Sequence, residues 1–324
     1  MNRSVSVLRK IATSGPVVAV KRKLYFGNIY MHERMLGDTV RLDAYHRALE
    51  RYVGPGDVVL DVGTGTGVLA FMAAARKPAK VYALDHSKPM IQYAQNAAKA
   101  NGVEDVTFVN SPATKFNPPE KVDVIVQEQM ASVLFAERML DTILDLRDRV
   151  LKPGGRILPA IFELYLEPVQ LKAADRVPFV QEQRVHGLTF PRMSSKPPRT
   201  YYWRSLDPGV VDYLLCEPSP VLTLDLRTVT RDQLPTQFHV RKPVVRPGQM
   251  DGICSFFRAR FDDSLSFTTA PGDAKTHWSM PLYRTPVREY GAGEIFHMTV
   301  DVPELSDHLA WRWSFGATPA LGSQ

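Results

Sequence analysis

Glu128 follows a short β-branched run, Val122 to Val126, and Glu137 stands nine residues later in a stretch with helical spacing. A carboxylate at the carboxyl end of a strand lies at the mouth of an open α/β sheet, where such sheets bind ligands. A second carboxylate across a short loop can face the same cation. The cation that suits such a pair is a guanidinium, whose planar fork takes bidentate bonds. Its charge is delocalised, so it is a poor nucleophile until carboxylates localise that charge. Bringing it to within about 3–3.5 Å of a sulfonium juxtaposes two cations, a repulsion that needs compensating anions at low dielectric. Glu128 is therefore assigned to bidentate orientation and polarisation, and Glu137 to the second guanidinium contact, with proton acceptance open to it. Taken alone, two acids at a helix entry more often stabilise the helix dipole or pair with a neighbour such as Arg138. The glycine loop upstream is what favours the first reading.

Asp61-Val62-Gly63-Thr64-Gly65-Thr66-Gly67 follows a strand-like run and opens a helical one, so backbone amides near Gly63 and Gly65 can approach a ligand closely. A dinucleotide-binding loop needs a glycine three places after Gly65, and that place holds Val68. A nucleotide-phosphate loop needs a Gly-Lys-Ser/Thr ending, which is absent. The signature points to S-adenosylmethionine, a nucleoside without phosphate, with S-adenosylhomocysteine as product. Asp85 closes the next strand, eighteen residues after Gly67, where a carboxylate accepts from both hydroxyls of an unphosphorylated ribose. The competing role for Asp85 is a helix cap shared with Ser87. His32-Glu33-Arg34-Met35-Leu36 begins like a zinc-protease helix but lacks the second histidine, and Cys216 and Cys254 sit in no ligand pattern. Neither a metal nor a disulfide is expected.

From Gly54 to Pro159, apolar runs at 58–62, 80–84, 106–109, 122–126 and 156–158 alternate with helical stretches. The helices run from Val68, through Met90, Ala94 and Ala98, and from about Leu134 to Leu151. This is the pattern of an α/β domain on a doubly wound parallel sheet. Lys152-Pro153-Gly154-Gly155 reads as a tight turn before the last strand. Beyond Pro159 the period changes to two, at 162–167, 221–226, 237–240, 253–261, 295–302 and 309–315. That predicts a mostly antiparallel β domain, barrel or sandwich. Residues 194–209 hold three prolines without clear period and suggest a surface arm. The first 22 residues form either a short amphipathic helix through Val5, Leu8 and Ile11 or a segment that orders when a ligand arrives. The expected division is an extension, 1–22, a nucleotide-binding domain, 23–159, and a β domain, 160–324.

A length of 324 residues with 44% hydrophobic content suits two globular domains. No apolar run approaches the roughly 20 residues of a membrane span, and no cleavable signal is evident, so a cytoplasmic protein is expected. The net charge of +6 is dispersed. Its densest cluster, Lys21-Arg22-Lys23, lacks interleaved aromatics, which argues against a nucleic-acid partner.

Four separated motifs stand in family order: Tyr25-Phe26 with His32 to Asp38 and Arg41, the Asp61 to Gly67 loop, the Glu128 to Glu137 loop, and Thr276-His277-Trp278. On these motifs the chain resembles the protein arginine methyltransferases over nearly its whole length. The resemblance implies a class I methyltransferase domain, a β-barrel domain, a dimerisation arm near 194–209 and a ring-shaped homodimer. Carried over by position, His32 and Arg41 would touch the cofactor beside Asp61, Gly63, Gly65 and Asp85, with Arg41 pairing with its methionine carboxylate. Met35 and Met139 would line the methyl-transfer cavity, and Thr142 would sit beside the cofactor. His277 and Trp278 would wall the acceptor pocket. Tyr25 would join the substrate-binding residues, and His277 would join Glu128 and Glu137 as catalytic. Without the resemblance, His277 reads as a satisfied buried histidine, and Trp278 and Met139 as core.

The departures from the family pattern carry information too. Where the family has Ser-Glu-Trp-Met-Gly-Tyr, this chain has Gln127-Glu128-Gln129-Met130-Ala131-Ser132. Thr114 stands where a glutamate usually reads the adenine amino group, and the lid between Phe26 and His32 is shortened. A basic protein repels arginine-rich tails. The expected acceptor is therefore free L-arginine or a small guanidino compound, as in natural-product biosynthesis. The alternatives are arginine-rich protein tails, a non-guanidine amine, and a non-catalytic cofactor-binding scaffold.

Overall fold

In the computed structural model, residues 29–135, 138–176, 184–190 and 203–316 are described. Tyr25, Glu137, the first 22 residues and the part of the expected arm from 194 to 202 lie outside them. The chain divides into two compact units, Met1–Glu128 with Thr142–Pro159, and Gln129–Asp141 with Ala160–Gln324. The loop after Glu128 thus belongs with the β unit, which a single division at 159 does not capture.

The first unit opens with α1 (Ile29–Leu36) and α2 (Thr39–Tyr52). Asp38 caps α2, its carboxylate accepting from the Arg41 amide at 3.0 Å. Ala44, Tyr45, Ala48 and Leu49 form the buried stripe of α2, the spacing of one helical face, and Arg41 extends it toward the cap. Then follow β1 (Val58–Val62), α3 (Val68–Ala74), β2 (Lys80–Asp85), α4 (Lys88–Ala100), β3 (Val106–Asn110), β4 (Val122–Gln127), α5 (Met139–Val150) and β5 (Leu151–Leu158). The five strands are parallel in the order β3-β2-β1-β4-β5. β1 is buried along its length, as a continuous apolar run in a parallel sheet requires. The strand order reverses between β1 and β4, so the carboxyl ends of those two strands flank the topological switch point.

Two local expectations are corrected. α5 starts at Met139 rather than near Leu134, because Leu134 and Arg138 have φ of 43° and 60°, left-handed values that no helix accommodates. The turn at 152–155 falls inside β5, as a register shift opposite Val122 to Val124. Gly154 has φ 75°, and a Cβ on Gly155 would lie 2.6 Å from the Leu151 side chain.

In the second unit, β6 (Ile161–Leu171) and β13 (Gly248–Arg260) are the long central strands. Together with β10 (Val211–Leu214), β15 (Met280–Tyr290) and β9 (Trp203–Leu206) they give the order β10-β6-β13-β15-β9, with β11 (Leu222–Asp225) on β6 and β14 (Ser266–Thr268) on β13. A second sheet runs β12 (Gln237–Pro243), β16 (Ile295–Asp301) and β17 (Arg312–Phe315), and a small hairpin joins β7 (Arg184–Val185) to β8 (Leu188–Thr189). Among the described residues these antiparallel ladders do not close into a barrel: alternation marks half-buried strands but does not specify closure. Residues 203–206, placed in the irregular arm by their composition, form β9 on the edge of the sheet. No helix among the described residues is long and apolar enough to cross a membrane.

Candidate cofactor cleft and acidic loop

The glycine loop leaves β1 at the switch point. The amides of Gly63 and Thr64 both donate to the Leu84 carbonyl on β2, at 2.8 and 2.9 Å, which pulls the loop back over the sheet edge. Gly63, Gly65 and Gly67 have φ of 76°, 53° and 89°. Side chains are excluded on two counts. A Cβ on Gly65 would lie 3.1 Å from the His32 ring, and one on Gly67 2.5 Å from the Phe71 ring. His32 is thereby placed against the loop, buried, on α1.

Asp61 is buried in β1 and accepts a 2.6 Å bond from the Thr64 hydroxyl, tying the start of the loop to its middle. Burial pushes its carboxyl up to about 7; the Thr64 bond opposes this and the Asp85 charge adds to it. Asp85, at the end of β2, accepts from the Gly65 amide at 3.0 Å with Oδ2 and from the Ser87 amide at 2.8 Å with Oδ1. The two readings of Asp85 are thus not exclusive: it braces the glycine loop and the entry to α4, and each oxygen retains accepting capacity. The Ser111 amide donates to the Asp85 carbonyl, which sets the turn carrying Thr114 beyond β3, where Thr114 is exposed.

The raised carboxyl of Asp61 has a consequence for stability. Glu167 on β6, buried and ion-paired to Lys242, is likewise pushed up to about 7, first by burial. An acid with a folded pKa above its unfolded value binds protons more tightly when folded. Its stabilising contribution is complete below the unfolded pKa, about 4, and is lost as pH rises toward 7. Asp61→Asn, which keeps an acceptor for Thr64 but cannot ionise, should therefore gain stability relative to the unmodified chain as pH rises from 4 to 7. Urea midpoints across that range measure it; a constant difference would contradict the assignment.

Across the switch point, β4 pairs with β1 as far as Gln127 opposite Val62, so Glu128 and Gly63 are the first residues beyond the last pair on their strands. The Glu128 carboxylate is nearly buried, 8% exposed, and its Oε2 stands 3.5 Å from Nη1 of Arg41. Arg41, 2% exposed, also donates Nη2 to the Met35 carbonyl at 2.5 Å, and its Nε lies 3.9 Å from Asp38. That Nε has no hydrogen-bond partner. The predicted residues His32, Met35, Arg41, Asp61, Gly63, Gly65, Asp85 and Glu128 thus belong to one unit and cluster at the carboxyl edge of its sheet. The three glycines of the loop, the carboxylate of Asp85 and the orphaned nitrogen of Arg41 fit a nucleoside bearing an amino-acid carboxylate, as S-adenosylmethionine does.

The remaining acidic-loop residues lie in the second unit, apart from Thr142, half-buried on α5 in the first. Met130, Val133, Leu134, Phe135 and Met139 are buried, and reciprocal backbone bonds between Ala131 and Leu134 close a tight turn. Trp278, buried, donates Nε1 to the Met130 carbonyl at 2.8 Å and stacks on Phe267 with centroids 5.8 Å apart. His277 is half-buried with its ring 3.9 Å from that of Trp278. Asp141 receives both Arg138 and Arg231, all three within the second unit. Left-handed backbone at Leu134 and Arg138 is strain of the kind that collects at functional loops.

Three contributions were not read from sequence. Asp38 caps α2 and pairs with Arg41, Thr64 is braced by Asp61, and Tyr45 donates to the Gln127 carbonyl at 2.6 Å. The spacing Asp38, Arg41, Tyr45 along one helical face was the available signal.

Comparisons with known proteins agree with this geometry. A family model described as a methyltransferase domain matches residues 54–180, and one described as the arginine methyltransferase oligomerization subdomain matches 163–302. The chain is 32% identical over 268 residues to protein arginine N-methyltransferase 6 of Danio rerio, covering 79% of this chain and 76% of that one. It is 30% identical over 297 residues to a probable histone-arginine methyltransferase 1.4 of Arabidopsis thaliana, covering 86% of this chain and 55% of the relative. For the histone-arginine methyltransferase CARMER of Culex quinquefasciatus the figures are 29% over 284 residues, 81% and 46%. The chain spans about half the length of the last two. Among solved structures, protein arginine methyltransferase 10 of Arabidopsis thaliana superposes with a TM-score of 0.70 at 25% identity, covering 86% of this chain and 89% of that one. The Trypanosoma brucei PRMT1 enzyme-prozyme complex with AdoHcy gives 0.73 at 24%, covering 85% and 88%, a likeness of fold. By its motifs, its fold and these relatives, the chain belongs to the protein arginine methyltransferase family.

Proposed function

We propose that this chain transfers a methyl group from S-adenosylmethionine to a guanidinium nitrogen of arginine, with protein segments as the acceptor. The observation that carries the reading is the nearly buried carboxylate of Glu128 at the switch point, one residue past the last β4–β1 pair and 3.5 Å from Arg41. When bound, the cofactor supplies an electrophilic methyl group. The orphaned Nε of Arg41 is suited to its carboxylate, Asp85 to its ribose, and the glycine loop to its close approach. Thr114 and Thr142 are left as flanking contacts.

On the acceptor side, Glu128 binds the guanidinium, offsets its charge and draws that charge toward one end, leaving the distal nitrogen more nucleophilic. Glu137 supplies the second contact and a place for the released proton. His277 and Trp278 contribute through the Thr276-His277-Trp278 segment, whose tryptophan holds the Met130 carbonyl two residues beyond Glu128. Tyr25, Met35 and Met139 complete the proposed acceptor and transfer surfaces.

The choice of protein over free L-arginine reverses the expectation drawn from net charge. That expectation rested on the whole-chain value of +6, which does not report the local field. The relatives are named as protein or histone-arginine methyltransferases, and nothing in them supports a small acceptor or a biosynthetic setting. A homodimer is proposed as well, supported by the match to an oligomerization subdomain and by exposed Val185, Leu188 and Phe190 around the β7–β8 hairpin. Turnover of an arginine-rich peptide is expected to exceed that of free L-arginine at equal concentration. Efficient turnover of the free amino acid alone would restore the small-acceptor reading.

A further inference from the structure

Tyr45 is fully buried on α2, one helical turn beyond Arg41, and its hydroxyl donates 2.6 Å to the main-chain carbonyl of Gln127. Gln127 is the last residue of β4, and the next peptide carries Glu128. Arg41 meets the Glu128 carboxylate from the same helix. One face of α2 therefore grips the end of β4 twice, once on the backbone before Glu128 and once on its side chain. Burial holds the Tyr45 hydroxyl well above its ordinary pKa, with the Glu128 charge adding to this, Arg41 opposing it and Asp61 adding again. It stays protonated, and remains a donor, throughout the range in which such an enzyme works.

We infer that Tyr45 is a positioning residue for the reaction, acting through the Gln127 carbonyl to fix the direction in which Glu128 presents its carboxylate. The inference rests on the reading of Glu128 given above. A carboxylate at the end of a strand is followed by a loop, and without a second restraint its backbone is free to rotate. A small misplacement of an orienting group costs far more in rate than in binding. The hydroxyl of Tyr45 supplies that restraint without contributing a charge of its own.

The test uses the full chain and an arginine acceptor shown to be turned over. Tyr45→Phe keeps the ring and removes only the donor. It should lower kcat by at least about 10-fold while leaving cofactor affinity, measured by calorimetry, within about 2-fold. In a Glu128→Asp background, where the carboxylate is already displaced, the same change should cost less than about 3-fold, because residues acting through one group are not additive. Equal losses in both backgrounds, or a fall in kcat matched by a fall in cofactor affinity, would show a general structural role and overturn the inference. An active wild type with unchanged Tyr45→Phe kinetics overturns it as well. A wild type that methylates no arginine acceptor would instead remove the underlying assignment of Glu128.

Discussion

Glu128→Gln is expected to lower kcat by about 10³-fold with little change in cofactor affinity. Loss of one group that stabilises charge in the transition state costs on the order of 10²–10³ in rate, and Glu128 is asked both to orient the guanidinium and to localise its charge. The amide is isosteric and still accepts one hydrogen bond, so packing at the end of β4 is retained. Arg41 keeps Asp38 and the Met35 carbonyl as partners. Calorimetric binding of S-adenosylhomocysteine alongside single-turnover rates separates the two effects. Unchanged turnover would remove Glu128 from the mechanism, and a matching loss of cofactor affinity would make it a binding residue.

Arg41→Ala should have the larger effect on the folded state. Arg41 is the cation between two carboxylates, with side-chain exposures of 0% for Asp38 and 8% for Glu128. Removing one partner of a buried ion pair typically costs about 3–5 kcal/mol, because the remaining charge is left uncompensated in low dielectric. For a chain of this size that corresponds to a fall of roughly 10 °C in Tm. Cofactor affinity should fall by more than about 100-fold, since the site loses its charged hydrogen-bond donor and Glu128 then repels a carboxylate. Arg41→Lys should recover part of the stability and little of the affinity, because an ammonium cannot reach Glu128, Asp38 and the Met35 carbonyl with a planar fork. Melting curves with and without S-adenosylhomocysteine give both numbers. A variant with wild-type Tm and wild-type affinity would show that the pairing seen here carries no weight.

The parts of this architecture that were legible in the sequence are those set by local pattern. Val58 to Val62 and Val122 to Val126 read as strands because a parallel sheet buries both faces, and a short β-branched run has few other uses. The glycine loop was legible because positive φ at Gly63, Gly65 and Gly67 leaves few alternatives. β15 was not legible: Pro281 and Pro286 interrupt it and its first residues are buried on both faces, so neither alternation nor composition marks a strand. The late start of α5 was hidden as well, because the left-handed residues are Leu134 and Arg138 rather than glycine or proline, and the local turns that the Leu134 and Arg138 amides close onto Ala131 and Phe135 leave no mark in composition.

The candidate site divides the same way. Spacing marked Glu128, Asp85 and the glycine loop, but not their mutual bonds. That Asp85 braces the Gly65 amide, that Asp61 holds Thr64, and that Tyr45 reaches Gln127 are contacts between positions distant in sequence or hidden inside a turn. Charge summed over the chain carries no local information: a net value of +6 says nothing about the two acids around Arg41.

The central claim is that methyl groups pass from S-adenosylmethionine to the arginine side chain held by Glu128. Incubating the chain with methyl-labelled S-adenosylmethionine and an arginine-containing peptide, then locating the label by fragment-ion mass spectrometry, tests it most directly. Label on the guanidinium nitrogens, absent with the Glu128→Gln variant, is the predicted result. Label on lysine or the peptide amino terminus, or equal labelling by that variant, would contradict it.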